Sequence, residues 1–129
     1  MTKETFDKKL KAIIVSVDVE IDGMIKNLPF ILDTGSPETL ICEKMLREMG
    51  YTRVDSIEDV PIQTVGGGAM AYRYIIESIT ALGLTKRNIK VISHAMPSGS
   101  GAYGLLGLDF FENTRLTIDF KLAEIIVEN

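Results

Sequence analysis

The residues best suited to chemistry lie in one short stretch, Asp33-Thr34-Gly35-Ser36, which directly follows the apolar residues 30–32. A carboxylate that a buried strand holds in place can act as a base towards water or as an acid towards a carbonyl oxygen. The alternative is structural, because Asp, Thr, Gly and Ser commonly form turns at strand ends. Asp-Thr-Gly alone is expected by chance in roughly 2–3% of chains of this length. The stretch therefore indicates a catalytic site only together with a second motif.

A second motif, Leu105-Leu106-Gly107, lies in the last quarter of the chain. Between the two motifs, β-rich arms flank the triple glycine 66–68, which predicts a hairpin with a glycine tip. A phosphate-binding loop is disfavoured there, because neither Lys-Ser/Thr nor a helix follows the glycines. The two motifs and the hairpin thus form one ordered pattern along the sequence.

Strand signals dominate the rest of the chain. Val15, Val17, Val19 and Ile21 alternate with polar residues, which predicts a strand with one buried face, and the next two residues, Asp-Gly, signal a tight turn. We therefore expect an all-β domain, a small barrel or sandwich, with one or two short helices. The further predicted elements are a strand over 24–32, a short helix over 42–50, two strands around a turn at 82–88, a short helix after 107, and closing strands over 115–120 and 124–127.

Composition and charge restrict the class of protein. A length of 129 residues, with 46% hydrophobic and 25% charged residues, predicts one soluble globular domain over residues 1–129. The net charge of −4, without a dense basic cluster, argues against nucleic acid or a membrane as a partner. The polar N-terminus contains no signal peptide and the single cysteine, Cys42, cannot form an internal disulfide, so we expect a cytoplasmic protein. His94 is the only histidine, and we expect no metal and no cofactor.

The pattern as a whole resembles that of the retropepsin-like aspartic proteases, the single-lobe relatives of pepsin. Asp33-Thr34-Gly35, the glycine-tipped hairpin around 62–76 and the Leu-Leu-Gly motif occur in the order typical of that family, and the resemblance extends from about residue 11 to the end. The sequence after the second motif is more similar to the cellular and bacterial members than to the viral enzymes. The resemblance implies a small closed β barrel of the acid protease type.

The resemblance also implies a role for each motif. Asp33 would be the catalytic residue, and Thr34, Gly35 and Ser36 would form the active-site loop around it. A hydrogen bond from Ser36 to the ionised carboxylate would favour an acidic activity optimum. The second motif, Leu105, Leu106 and Gly107, would support the cleft from beneath. The hairpin would be a flap over the substrate, with its binding residues at Val65, Gly66, Gly67, Gly68, Ala69 and Met70.

Aspartic proteases use two carboxylates that share one proton, whereas this chain has only one Asp-Thr-Gly. The implied enzyme is therefore a homodimer, in which Asp33 of each chain meets on a two-fold axis. Its partner would be an extended peptide or protein substrate. The alternative function is that of a catalytically inactive peptide-binding or dimerisation module with the same fold.

Overall fold

The computed structural model describes residues 1–96 and 99–129. Over these residues the chain forms ten strands, one α-helix, α1 (Glu43–Glu48), and two 3-10 helices, Arg53–Asp55 and Leu108–Phe111. The strands are β1 (Thr2–Thr5), β2 (Ile14–Ile21), β3 (Met24–Leu32), β4 (Leu40–Cys42), β5 (Glu58–Thr64), β6 (Gly67–Ala81), β7 (Leu84–His94), β8 (Gly104–Leu106), β9 (Arg115–Asp119) and β10 (Glu124–Glu128).

Six strands close into a barrel. β2 pairs antiparallel with β3 on one side and with β6 on the other, so the order β2-β3-β8-β4-β7-β6 returns to its first strand. β5 pairs with β6 and forms the first arm of the hairpin whose tip is at the triple glycine. The prediction of an all-β closed barrel with few helices is confirmed.

The barrel interior follows the predicted alternation. Val15, Val17, Val19 and Ile21 of β2 are all buried, and they pack in one core with residues of the other five barrel strands. Side chains of successive strand residues point to opposite faces, so this one pattern defines the inside of the barrel. At roughly 25 cal/mol for each Å² of apolar surface buried, such a core is the main source of stability.

One parallel pairing brings the two sequence motifs together. β8 lies parallel to β3, with Ile31 opposite Leu105 and Leu32 opposite Leu106. β8 also pairs antiparallel with β4, and β4 lies parallel to β7. The ends of β3 and β8 are therefore neighbours, and each strand leads directly into its glycine-containing loop.

A second sheet has the strand order β1-β10-β9. β9 and β10 correspond to the two predicted closing strands. β1 was not predicted, because the polar segment at residues 2–5 gives no apolar alternation. Its strand is defined by pairing with β10, where Thr2 lies opposite Val127 and Thr5 opposite Glu124. Ile125 and Val127 of β10 join the core, so this sheet packs on the barrel.

Two other predicted boundaries can be compared with the structure. The predicted helix is present as α1, and Gly50, with a φ of 98°, follows it as a terminating residue. The turn predicted over 82–88 is wrong in extent: Leu82 and Gly83 form it with positive φ angles, and residues 84–88 already belong to β7. In the described part of the chain, no helix is long and apolar enough to cross a membrane.

Candidate active site

Strand β3 fixes the position of Asp33. Phe30 and Leu32 point into the core and are 0% and 6% exposed, so the strand is anchored up to the residue before the acid. The backbone N–H of Asp33 then donates to the carbonyl oxygen of Leu106 at 3.0 Å. The strand alternation places Asp33 on the same side as Ile31, outside the core. The carboxylate is thus held at the surface by a rigid strand.

The turn after Asp33 holds the carboxylate itself. The Gly35 N–H donates to Asp33 Oδ1 at 2.9 Å, and the Ser36 N–H donates to the Asp33 carbonyl oxygen at 3.1 Å. A Cβ at Gly35 would lie 3.2 Å from Asp33 Oδ1, which is tighter than an ordinary contact. A glycine at this position therefore lets the amide reach the carboxylate without crowding it.

Ser36 does not have the contact that the sequence suggested. Its hydroxyl donates to the carbonyl oxygen of Glu38 at 2.7 Å, which closes the loop locally. The predicted hydrogen bond from Ser36 to the Asp33 carboxylate is therefore wrong, and the expectation of an acidic optimum loses its basis. Thr34, which was predicted to belong to the active-site loop, is exposed.

The Leu-Leu-Gly motif packs directly against this loop. Leu106 is fully buried and accepts the Asp33 amide, and Leu105 lies between Ile31 and Leu40 in the sheet. A Cβ at Gly107 would lie 2.6 Å from the carbonyl carbon and oxygen of Glu38. Such an approach between two backbones is open only to glycine. The two motifs that the sequence singled out are thus packed directly against each other.

Sequence reasoning missed the side chains that join these two loops. Thr39 is 0% exposed; its amide donates to Asp109 Oδ2 at 3.1 Å and its hydroxyl donates to Oδ1 at 2.7 Å. The Thr39 hydroxyl also accepts from the Gly107 N–H at 3.2 Å. Asp109 is in the first turn of its 3-10 helix, and its carboxylate binds the facing loop. The only sequence signal was a threonine beside an apolar strand.

The predicted flap residues lie at the far end of the β5–β6 hairpin. Val65 and Gly66 form its turn, and residues 67–70 begin β6. The Thr64 hydroxyl closes the turn by donating to the Gly67 carbonyl oxygen at 2.8 Å. Within residues 1–96 and 99–129, no hydrogen bond joins residues 65–70 to the Asp33 loop.

The base of the hairpin has a direct connection to the Asp33 loop, which the sequence did not reveal. Arg73 of β6 donates from Nε to Glu58 Oε1 at 2.8 Å and from Nη1 to Glu38 Oε1. The hydrogen bond to Glu38, and to a smaller extent the one to Glu58, raises the pKa of the Arg73 guanidinium above its ordinary value. Glu38 lies between Ser36 and Thr39, so this ion pair ends on the loop that follows Asp33.

Comparison with known proteins gives matches of two kinds. The family described as "gag-polyprotein putative aspartyl protease" matches residues 17–113, a range that includes both motifs and the hairpin. Among solved structures, the chain is similar to a retropepsin-like aspartic protease from Rickettsia conorii, with a TM-score of 0.72 at 17% identity. The similarity covers 97% of this chain and 87% of that one. No curated protein sequence matches significantly.

The family match spans well over half of the chain, and the structural match extends over nearly all of it. The relationship expected from the Asp-Thr-Gly and Leu-Leu-Gly motifs is therefore confirmed. The chain belongs to the gag-type aspartyl protease family and has the retropepsin-like fold.

Proposed function

We propose that this chain is a homodimeric aspartic endopeptidase, which hydrolyses peptide bonds with a water molecule held between the Asp33 carboxylates of two copies. The observation that carries the proposal is the hydrogen bond from the Gly35 amide to Asp33 Oδ1, at the end of an anchored strand. It gives this carboxylate a fixed orientation in a chain of the aspartyl protease family. No other acid of the sequence precedes Thr-Gly or Ser-Gly, so a second copy must supply the second carboxylate.

The two carboxylates would divide the chemistry between them. Two adjacent carboxylates do not both ionise, so one holds a proton while the other is free to act as a base. The ionised Asp33 removes a proton from water as the oxygen attacks the carbonyl carbon, and the protonated Asp33 donates its proton to the carbonyl oxygen. When the C–N bond of the resulting diol breaks, the departing nitrogen takes the proton that the first Asp33 received from water, and the second Asp33 takes a proton from a diol hydroxyl. This leaves a carboxylic acid, an amine and a dyad that again holds one proton.

An apolar groove lined by Ile31, two residues before Asp33, suits the side chain of a peptide substrate. It has a volume of about 590 Å³ and is lined by Leu10, Ile14, Ile31 and the glycine-containing segment 99–101, together with Lys11 and Ala12. Ile31 shares the strand face of Asp33, which puts one wall of the groove on the same side of the strand as the carboxylate. We therefore expect cleavage next to an apolar residue, in an extended peptide covered by residues 64 to 72.

The pairing of the terminal strands bears on how two copies would meet. β10 is paired on both sides within the same chain, with β1 and β9. Over the described residues, β1 and β9 are each paired on one side only. An exchange of terminal strands would require β1 to leave β10, whereas addition along the open edge of β1 or β9 leaves the pairing intact.

The test is the cleavage of a diverse peptide library across pH by the wild type and by Asp33→Asn. We expect cleavage by the wild type and a loss of at least about a thousandfold in kcat/KM for the variant, as for removal of other essential catalytic groups. Equal cleavage by both proteins would remove Asp33 from the mechanism.

Size measurement over a concentration series provides the second arm. The activity should follow the concentration of dimer, because each copy supplies half of the dyad. A protein that stays monomeric at high concentration and cleaves nothing, but still binds peptides, would be the inactive binding module instead.

A further inference from the structure

We propose that Arg73 is a positioning residue that fixes the base of the β5–β6 hairpin to the loop carrying Asp33. The inference rests on the proposed function, since positioning has a purpose only where a substrate lies between hairpin and carboxylate. Arg73 itself does not touch the reacting atoms. Its role would be to keep the two sides of the cleft in register.

The first step is the geometry of the guanidinium. Its Nε faces Glu58, which is the cross-strand neighbour of Arg73 in the hairpin, at 2.8 Å. Its Nη1 faces Glu38, which belongs to the Asp33 loop. The planar guanidinium presents its donors in a rigid fork, so one edge can contact Glu58 while another donor contacts Glu38. One arginine therefore joins two strands of the hairpin to a third segment.

The second step is burial. The Arg73 side chain is only 17% exposed, against 38% for Glu38 and 54% for Glu58. Exposed ion pairs contribute little because water and salt screen them, so the contact with Glu58 is the weaker one. The less exposed contact with Glu38 is the one that connects hairpin and loop.

The third step is what Glu38 holds in turn. Its carbonyl oxygen accepts the Ser36 hydroxyl at 2.7 Å, and its backbone is the surface against which Gly107 packs. The next residue, Thr39, is fully buried and bound by Asp109. A displacement of Glu38 would therefore shift the contact between the loop after Asp33 and the loop after Leu106.

The opposite face of β6 is held by other residues. The Arg53 guanidinium lies 4.6 Å from the centre of the Tyr72 ring, and the rings of Tyr51 and Tyr74 stack at 5.6 Å. These contacts tie the strand to the segment before β5. They make no link to Asp33, so the two faces of β6 have separable effects.

The test compares Arg73→Met, Glu38→Ala and Glu58→Ala. Met keeps most of the arginine stem, and the two alanine variants each remove one of the two carboxylates that Arg73 binds. We expect Arg73→Met and Glu38→Ala to lower kcat/KM roughly tenfold, mainly through kcat, because small misplacements in the cleft reduce turnover steeply. Glu58→Ala, the matched control, should change it less than about twofold.

A double variant and an activity-independent measurement complete the design. Arg73→Met combined with Glu38→Ala should lose no more activity than either alone, because both remove the same contact. Amide hydrogen exchange should accelerate at residues 34–39 in Arg73→Met and Glu38→Ala, but not in Glu58→Ala, while all variants keep the wild-type circular dichroism spectrum. This exchange test applies even if the wild type cleaves no peptide, so a failure of the proposed protease function is distinguishable. Additive losses, an equal loss in Glu58→Ala, or unchanged exchange at 34–39 would overturn the role of Arg73.

Discussion

Asp109 holds Thr39 with both oxygens of its carboxylate, one on the backbone amide and one on the hydroxyl, across 70 positions of sequence. The Thr39 hydroxyl passes the connection on to the Gly107 amide. Because Thr39 is fully buried, water cannot replace these hydrogen bonds. The pair is therefore a structural joint between the loop after Asp33 and the loop after Leu106.

Loss of that joint should destabilise the protein. Asp109→Ala leaves the amide and hydroxyl of a buried residue without acceptors, and we expect the free energy of unfolding to fall by about 2–3 kcal/mol. Asp109→Asn keeps one acceptor oxygen, so its free energy of unfolding should lie between those of the wild type and Asp109→Ala. Urea denaturation followed by circular dichroism measures the difference.

Asp119 provides a matched control for Asp109. Its Oδ1 also accepts two N–H groups, those of Lys121 and Leu122, but in an exposed turn. Asp119→Ala should therefore cost at most about 1 kcal/mol, because water can serve the freed amides. A cost equal to that of Asp109→Ala would contradict the burial argument.

Gly107 should tolerate no side chain. A Cβ there would lie 2.6 Å from the carbonyl of Glu38 and 2.8 Å from the Ser36 carbonyl oxygen, and both are backbone atoms in a fixed loop. We expect Gly107→Ala to lower the free energy of unfolding by about 1–3 kcal/mol, as overpacking does elsewhere. Gly68→Ala is the control, because a Cβ at Gly68 meets nothing within 4 Å; equal melting temperatures for the two variants would disprove the clash.

Ser36 should contribute to stability rather than to the pH dependence of cleavage. Its hydroxyl donates to the Glu38 carbonyl oxygen, so Ser36→Ala should cost about 0.5–1.5 kcal/mol of unfolding free energy. The pH optimum of peptide cleavage should stay where the wild type has it. Ser16→Ala, which removes an exposed hydroxyl bound to Asn27, is the control for stability. A shifted optimum in Ser36→Ala would show that the hydroxyl acts on the carboxylate after all.

Glu4 should make the terminal sheet less stable at neutral pH than in acid. Burial raises the pKa of the Glu4 carboxyl above its ordinary value of 4.5, so the folded state binds this proton more tightly than the unfolded state. The contribution of this proton to the free energy of unfolding is complete below pH 4.5 and disappears as the pH rises through the raised pKa. Glu4→Gln should therefore be more stable than the wild type at neutral pH and equal to it in acid.

Thermal melts of wild type and Glu4→Gln over a pH series measure this difference. Lys3→Met is the control, because it removes the neighbouring ion pair of Lys3 with Glu124 but keeps Glu4. The difference between the proteins with and without Glu4 should persist in that background. A constant difference at every pH would exclude titration of Glu4 as its cause.

The sequence by itself determined the all-β class of the fold and singled out the Asp-Thr-Gly and Leu-Leu-Gly motifs. Alternation in β2, the Asp22-Gly23 turn and the apolar run before Asp33 are local signals, and each depends only on residues a few positions apart. The family resemblance added the order of motifs and hairpin. The expectation that a second copy supplies the second carboxylate also follows from the sequence, because the chain contains only one Asp-Thr-Gly.

Only the tertiary structure decided which partners the polar side chains take. The Ser36 hydroxyl donates to the Glu38 carbonyl oxygen rather than to Asp33, and the Thr39 hydroxyl donates to Asp109. β1 is a strand because it pairs with the edge of β10. None of these has a periodic signature, since a hydrogen bond or ion pair depends on the distance between two atoms in space. The same holds for Arg73. The sequence indicates that it lies in a strand, but its ion pair with Glu38 exists only in the folded barrel.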